Sequence, residues 1–144
     1  MHEIIAVVFD FDDTLAPDTT SGFLSKHGID AQDFWLNTVN PMYSKDWDPV
    51  PAYLYQMIES GSRGKLPLTL TELQSWGSEA PLHDGTDTIF RRLRDAVEEA
   101  NPKATLEFYV ISSGIGDVLR STKIAREFKD IWASELSYGE SGLA

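Results

Sequence analysis

An apolar run that ends in clustered carboxylates constrains this chain more than any other feature: Ile4-Ile5-Ala6-Val7-Val8-Phe9 leads straight into Asp10-Phe11-Asp12-Asp13-Thr14-Leu15. A short continuous run rich in Val and Ile reads as a strand buried on both faces, the kind found in parallel sheets. Side chains alternate along an extended chain, so Asp10 and Asp12 point to one side and Phe11 to the other. Two carboxylates about 4 Å apart repel by roughly 4 kcal/mol at a protein-like effective dielectric. Ionised together they call for a cation between them; otherwise one takes up a proton. The arrangement is that of a Mg2+-dependent nucleophile site.

At 144 residues the chain fits one domain, or a small core with an insertion. Its 42% apolar content supports a packed interior. The longest apolar run is far too short to span a bilayer, and Met1-His2-Glu3 lacks the basic start of a signal peptide. There is no cysteine, which excludes disulfides and thiolate metal sites. A cytoplasmic location is the default expectation. The net charge of −11 argues against nucleic acid or an anionic membrane as partner. A phosphate-processing site in so acidic a chain needs positive charge from a metal, backbone amides or a few placed Lys and Arg.

A second strand is expected at Leu106-Glu107-Phe108-Tyr109-Val110-Ile111, ending in Ser112-Ser113-Gly114. Before it, Ile89, Phe90, Leu93, Ala96, Val97 and Ala100 follow helical spacing over Thr86 to Ala100, with Thr86 or Asp87 as the cap. Ile115 to Phe128 reads as another amphipathic helix, and Asp130 to Ser134 as a short third strand. This alternation implies right-handed crossovers and a parallel α/β sheet, whose ligands bind beyond the carboxyl ends of the strands. Asp10 to Thr14 and Ser112 to Gly114 both sit at such ends. Between them, residues 17–82 read as a helical cap, with helices at Ile29 to Asn40, Val50 to Ser60 and Thr69 to Trp76, and a capping box at Thr69-x-x-Glu72. Residues 1–16 and 83–144 form the core. Ser137 to Ala144 reads as a hairpin or loop leading onward, so the core is expected to be incomplete at its C-terminal end. An exposed sheet edge there offers a second copy of the chain a place to pair, and a homo-oligomer is an open expectation.

Asp-Phe-Asp-Asp-Thr-Leu after an apolar strand resembles the first motif of the haloacid dehalogenase (HAD) superfamily of phosphatases and phosphotransferases. Val110-Ile111-Ser112-Ser113-Gly114 is similar to that family's second motif, and the helical insertion lies where capped members carry it. The resemblance spans essentially the whole chain. It implies a HAD-like Rossmannoid core with a helical cap after the first strand, and a phosphomonoester hydrolase acting on a small phosphorylated substrate. Asp10 is then the nucleophile, forming an aspartyl-phosphate, and Asp12 the general acid and base. Mg2+ is implied on the Asp10 carboxylate and the Asp12 backbone carbonyl. Ser112, with the amides of Ser113 and Gly114 and those of Phe11 and Asp13, would hold phosphate oxygens. A lone Asp-x-Asp more often caps a turn, and a lone Ser after a strand more often caps a helix; paired in this order, they favour the catalytic reading.

Two expected family features have no counterpart. Beyond Ser134 only Glu135 and Glu140 are acidic, and Lys123 and Lys129 are the only lysines after Ser112. A catalytically incompetent fragment, or a binding module that keeps the fold, is therefore the competing expectation. A nucleotide-sugar transferase using Asp10-x-Asp12 is a third, disfavoured because no nucleotide-binding unit precedes the first strand. His2, His27 and His83 have no metal-ligand spacing and read as surface or locally hydrogen-bonded groups. Arg91, Arg92 and Arg94 read as a solvated helix face. Trp35, Trp47, Tyr53, Tyr55 and Trp76 could line a substrate pocket, but residues 17–82 hold eight of the sixteen aromatics in just under half the chain, so packing of the cap is the preferred reading.

Overall fold

The computed structural model describes residues 3–140 and 142–144, so His2 lies outside the described residues. Strands β1 (Ile4–Phe9), β2 (Thr105–Ile115) and β3 (Asp130–Ser134) form a parallel sheet in the order β1-β2-β3. Pairing runs unbroken from Ile4 opposite Thr105 to Phe9 opposite Val110. Parallel neighbours require crossovers. The first contains α1 (Thr19–Lys26), α2 (Ala31–Asp33), a π-helical turn at Phe34–Val39, α3 (Asn40–Tyr43), α4 (Pro49–Ser62), α5 (Leu70–Glu79) and α6 (Thr86–Ala100). The second contains α7 (Gly116–Leu119) and a 3-10 turn at Ala125–Glu127.

One face of the sheet is covered by aromatic packing. Val7 and Phe9 lie beside Phe108 and Val110, with Ile131 next to Val110. Phe90 of α6 enters this layer, its ring 5.1 Å from Phe108, 5.3 Å from Phe128 and 5.8 Å from Phe9. Burying a ring of this size contributes about 1.5–3 kcal/mol. The other face is bare: Ile4, Val8, Ile111 and Trp132 are 58%, 53%, 59% and 51% exposed. β1 is therefore not buried on both faces as its composition predicts. It is an edge strand here, and no described helix covers these side chains.

The helix at Thr86–Ala100 has the boundaries read from its apolar spacing, but its cap differs. Gly85, at φ 87°, occupies the cap position. The Thr86 hydroxyl donates instead to the Leu15 carbonyl at 3.0 Å, which also accepts from the His83 amide at 2.9 Å. The expected helix from Ile115 to Phe128 does not form: Ile115 ends β2, and only Gly116–Leu119 is α-helical. Ser121 Oγ donates to the Asp117 carbonyl and Thr122 Oγ1 to the Leu119 carbonyl, taking acceptors that a continuing helix would need. Val118, Leu119 and Ile124 are still buried.

Between β1 and α6 the helices depart from expectation in informative ways. α1 is not foreseen; Asp18 caps it, accepting from the amides of Thr20 and Ser21. The segment expected as one helix from Ile29 to Asn40 contains a π turn, ending where the Asn40 amide bonds the Trp35 carbonyl. Pro41 follows; its ring would clash with the carbonyl four residues back in a regular helix, and the wider turn relieves this. α4 begins earlier than expected because Asp48 accepts from the Val50 amide and Pro49 suits the first turn. At α5, Thr69 Oγ1 accepts from the Glu72 amide at 3.2 Å, while the Glu72 carboxylate lies 3.7 Å from His27. His27 is half-buried against the Phe23 ring rather than at the surface. α5 crosses α7 so closely that a Cβ on Gly77 would lie 2.3 Å from the Val118 carbonyl oxygen.

The C-terminal residues turn where the Gly139 amide bonds the Leu143 carbonyl, and pack against the fold. Glu135 pairs with Arg120, Tyr138 donates to Asp117, Leu143 bridges to Thr69, and the Ala144 amide bonds the Leu68 carbonyl. Among the described residues, no helix is long and apolar enough to cross a membrane.

Candidate active site

The turn after β1 is built on one carbonyl. Phe11 O accepts from the amides of Thr14, Leu15 and Ala16, while Phe11, Leu15 and Ala16 are buried and anchor the loop. Asp13 sits at φ 59°, a left-handed conformation that Asp tolerates better than most residues. Its amide donates to the Ala16 carbonyl at 2.7 Å, so of the anticipated phosphate-binding amides this one is engaged within the turn. The turn leaves Asp10 exposed, with Thr14 Oγ1 donating to its Oδ2 at 3.3 Å.

Asp12 has different surroundings. It is half-buried, and its Oδ1 accepts from the Thr19 amide, the first of α1, at 2.7 Å. Burial raises its pKa above the ordinary 3.8; the Thr19 hydrogen bonds oppose this, and the charges of Asp18 and Asp10 reinforce it. A carboxyl with raised proton affinity is suited to give up a proton as a general acid.

The second sequence signal meets the first. β2 does not stop at Ile111: it runs through Ile115 with a break in register against β3 between those residues, so Ser112, Ser113 and Gly114 lie in its irregular part. A Cβ on Gly114 would lie 2.5 Å from Asp12 Oδ2 and 3.2 Å from Ser112 Oγ, so a side chain there would displace the Asp12 carboxylate. Ser112 Oγ accepts from the Gly114 amide at 3.0 Å, which leaves its proton to donate elsewhere. Ser113 is pinned through its carbonyl, which accepts from Tyr53 Oη at 2.5 Å and Ser134 Oγ at 2.9 Å.

Beside Asp12 lies a cavity of about 170 Å³, lined by Asp12, Ser113 and Gly114 and by Asp18, Thr20, Trp35 and Tyr53 from the helical region. Trp35 and Tyr53 are two of the five aromatics weighed as pocket lining and set below cap packing; Asp18 and Thr20 carry no such signal in the sequence. Burial pushes the Tyr53 phenol up to about 12, so it stays a donor at physiological pH. The remaining aromatics singled out lie elsewhere: Trp47 and Tyr55 contact each other at the surface, and Trp76 donates to the Thr19 carbonyl.

The cations singled out lie away from this cavity. Lys123 lines a separate hollow with His83, Asp84 and Asp87, and Lys129 pairs with Glu107. Arg94 is not simply solvated: it pairs with Glu127 and lies 5.0 Å over the Phe108 ring. Arg92 borders an open hollow with Thr14 and Phe9. Glu135 is held by Arg120.

Among the described residues, no group of three or more His, Asp or Glu is poised to hold a metal. The oxygens of Asp10 and Asp12 nevertheless suit Mg2+ in kind. That ion binds through one or two carboxylates and fills its remaining positions with water and substrate phosphate.

No protein-family model and no curated protein sequence matches the chain. Solved structures do, two of which follow. A phosphoserine phosphohydrolase-like protein from Francisella tularensis matches with a TM-score of 0.60 at 16% identity, over 99% of this chain and 62% of that one. A HAD family hydrolase from Salmonella enterica serovar Typhi matches with a TM-score of 0.62 at 15% identity, over 96% of this chain and 43% of that one. The chain therefore has the HAD-like α/β fold. It spans less than two thirds of the length of either.

Proposed function

We propose that the chain carries the nucleophile half of a Mg2+-dependent phosphomonoester hydrolase. The observation that supports this most is the meeting of Asp12, with its raised proton affinity, and the Ser112–Gly114 segment beside an exposed Asp10. Asp10 Oδ attacks phosphorus and the ester P–O bond breaks, leaving an aspartyl-phosphate. Asp12 donates its proton to the departing alkoxide. Asp12 then takes a proton from the water that cleaves the aspartyl-phosphate, releasing inorganic phosphate and restoring the Asp10 carboxylate and the protonated Asp12. The Ser112 hydroxyl, with the amides of Phe11 and Ser113, holds the phosphate oxygens, and the Gly114 amide can join only by sharing its bond to Ser112 Oγ; one such donor contributes about 3–4 kcal/mol. The Asp13 amide can join only by sharing its bond to Ala16. Mg2+ on the Asp10 carboxylate and the Asp12 carbonyl would offset the repulsion between carboxylate and phosphate. Residues 17–82 act as the cap, and the substrate is a small phosphate ester.

Hydrolysis of an aryl phosphate with Mg2+ tests the reading. Activity lost with chelator and in Asp10→Asn is the expected result; Asp10→Asn turning over like the parent contradicts it. The positions of Lys123, Lys129 and Glu135, all away from the cavity, favour one second reading, a catalytically incompetent module that retains the fold. A folded chain that never hydrolyses the ester, with or without Mg2+, supports that reading instead.

A further inference from the structure

The peptide unit joining Ser113 to Gly114 is engaged at both ends. Its carbonyl accepts from Tyr53 Oη at 2.5 Å and from Ser134 Oγ at 2.9 Å. Its N–H donates to Ser112 Oγ at 3.0 Å. A trans peptide is planar, with carbonyl and N–H on opposite sides, so the donors at one end and the acceptor at the other act through one conjugated group. The donors come from separate elements, Tyr53 from α4 and Ser134 from the end of β3. They converge inside the break in register between β2 and β3. Tyr53 and Gly114 are buried, and hydrogen bonds linked in a dry interior strengthen one another by roughly 10–30% each. Charge drawn onto the carbonyl oxygen makes the N–H a stronger donor. Ser112 Oγ, accepting from it, then donates its own proton more strongly. Packing alone does not account for the phenol, because Phe would fill the same wall beside the Trp35 ring, 5.5 Å away.

We propose that Tyr53 is a positioning residue for Ser112: with Ser134 it fixes and polarises the Ser113–Gly114 peptide, and so tunes the Ser112 hydroxyl as a donor. That the hydroxyl donates to a phosphate oxygen rests on the phosphatase reading above; the polarisation does not. Tyr53 makes and breaks no covalent bond and keeps its proton throughout. A donor tuned for charge that develops during the reaction acts on kcat more than on KM.

The test is Tyr53→Phe in the full chain, read by NMR at the Ser113 carbonyl carbon and at the Gly114 amide proton and nitrogen. All should move upfield as the carbonyl loses a donor. Ser134→Ala removes the other donor from a different element, and should move the same resonances in the same direction. A packing role for Tyr53 produces no such shared signature. With an aryl phosphate and Mg2+, Tyr53→Phe should lower kcat about two- to sevenfold at unchanged KM, the loss expected when one donor weakens by roughly 10–30%. Unmoved Ser113 and Gly114 resonances, a kcat equal to the parent's, or a raised KM at unchanged kcat overturns the proposal. The two readings fail separately. The shared signature in a chain that hydrolyses no ester contradicts only the enzymatic reading, whereas hydrolysis with unmoved resonances in Tyr53→Phe contradicts only the role of Tyr53.

Discussion

At the residue scale, the candidate site turns on the close approach of the Asp12 carboxylate to Gly114. Gly114→Ala would bring a methyl against the Asp12 carboxylate. It should lower turnover of an alkyl phosphate by about 10²–10³, comparable to mispositioning a general acid, while far-UV circular dichroism stays near that of the parent. Asp12 also makes stability depend on pH. Its folded pKa lies above 3.8, so the folded state holds the proton more tightly and the protonated form is the one the fold favours. Stability should therefore fall as pH rises through the window just above 3.8. Asp12→Asn should remove that part of the slope in urea unfolding measured from pH 3.5 to 7. A slope unaffected by the substitution would contradict the burial argument. Asp10 and Asp12 could be singled out from local sequence because they follow one strand. Asp18 could not, and Trp35 and Tyr53 could not be told from the other three aromatics weighed as pocket lining: all three residues come from helical segments that meet Ser113 only through the tertiary fold, and each also has an ordinary role in capping or packing.

At the element scale, legibility tracks how much of the local sequence speaks for a single state. Thr86–Ala100 has an unbroken apolar stripe opposite a charged face, and its boundaries follow. Thr19–Lys26 contains two threonines, two serines and a glycine in eight residues, so propensity argues against the helix that Asp18 and the burial of Phe23 and Leu24 nonetheless hold. The reverse applies after β2, where apolar spacing predicts a long helix and the hydroxyls of Ser121 and Thr122 end it. The crossing of α5 and α7 should be sensitive to a single methyl. Gly77→Ala forces a Cβ against the backbone at Val118, and should lose about 1–3 kcal/mol in denaturant unfolding, against well under 1 kcal/mol for Ser78→Ala on the exposed side. Equal stability of the two variants would show that the helices separate at little cost.

At the scale of the whole molecule, the sheet is packed on one side only. Parallel sheets ordinarily have both faces covered, and Ile4, Val8, Ile111 and Trp132 form an apolar surface larger than scattered exposed residues account for. The native chain should bind a hydrophobic dye such as ANS, and Val8→Lys with Ile111→Lys should reduce the dye signal severalfold without unfolding. Undiminished dye binding would locate the exposed apolar surface elsewhere. The same surface and the free edge of β1 motivate the homo-oligomer expected from the sequence, which sedimentation across a concentration series tests. Charge makes a separate contribution at this scale, since −11 in total leaves Asp10 and Asp12 in a negative field. On the proposed function, a phosphate ester has to be drawn in by Mg2+ and the local donors.

The most direct measurement is chemical. The chain is incubated with an aryl phosphate and Mg2+, quenched in acid and digested, and the peptide containing Asp10 is weighed. The account predicts one added phosphoryl group on Asp10, labile to hydroxylamine and absent in Asp10→Asn. Ester hydrolysis that proceeds with no phosphoryl group ever found on Asp10 would contradict it.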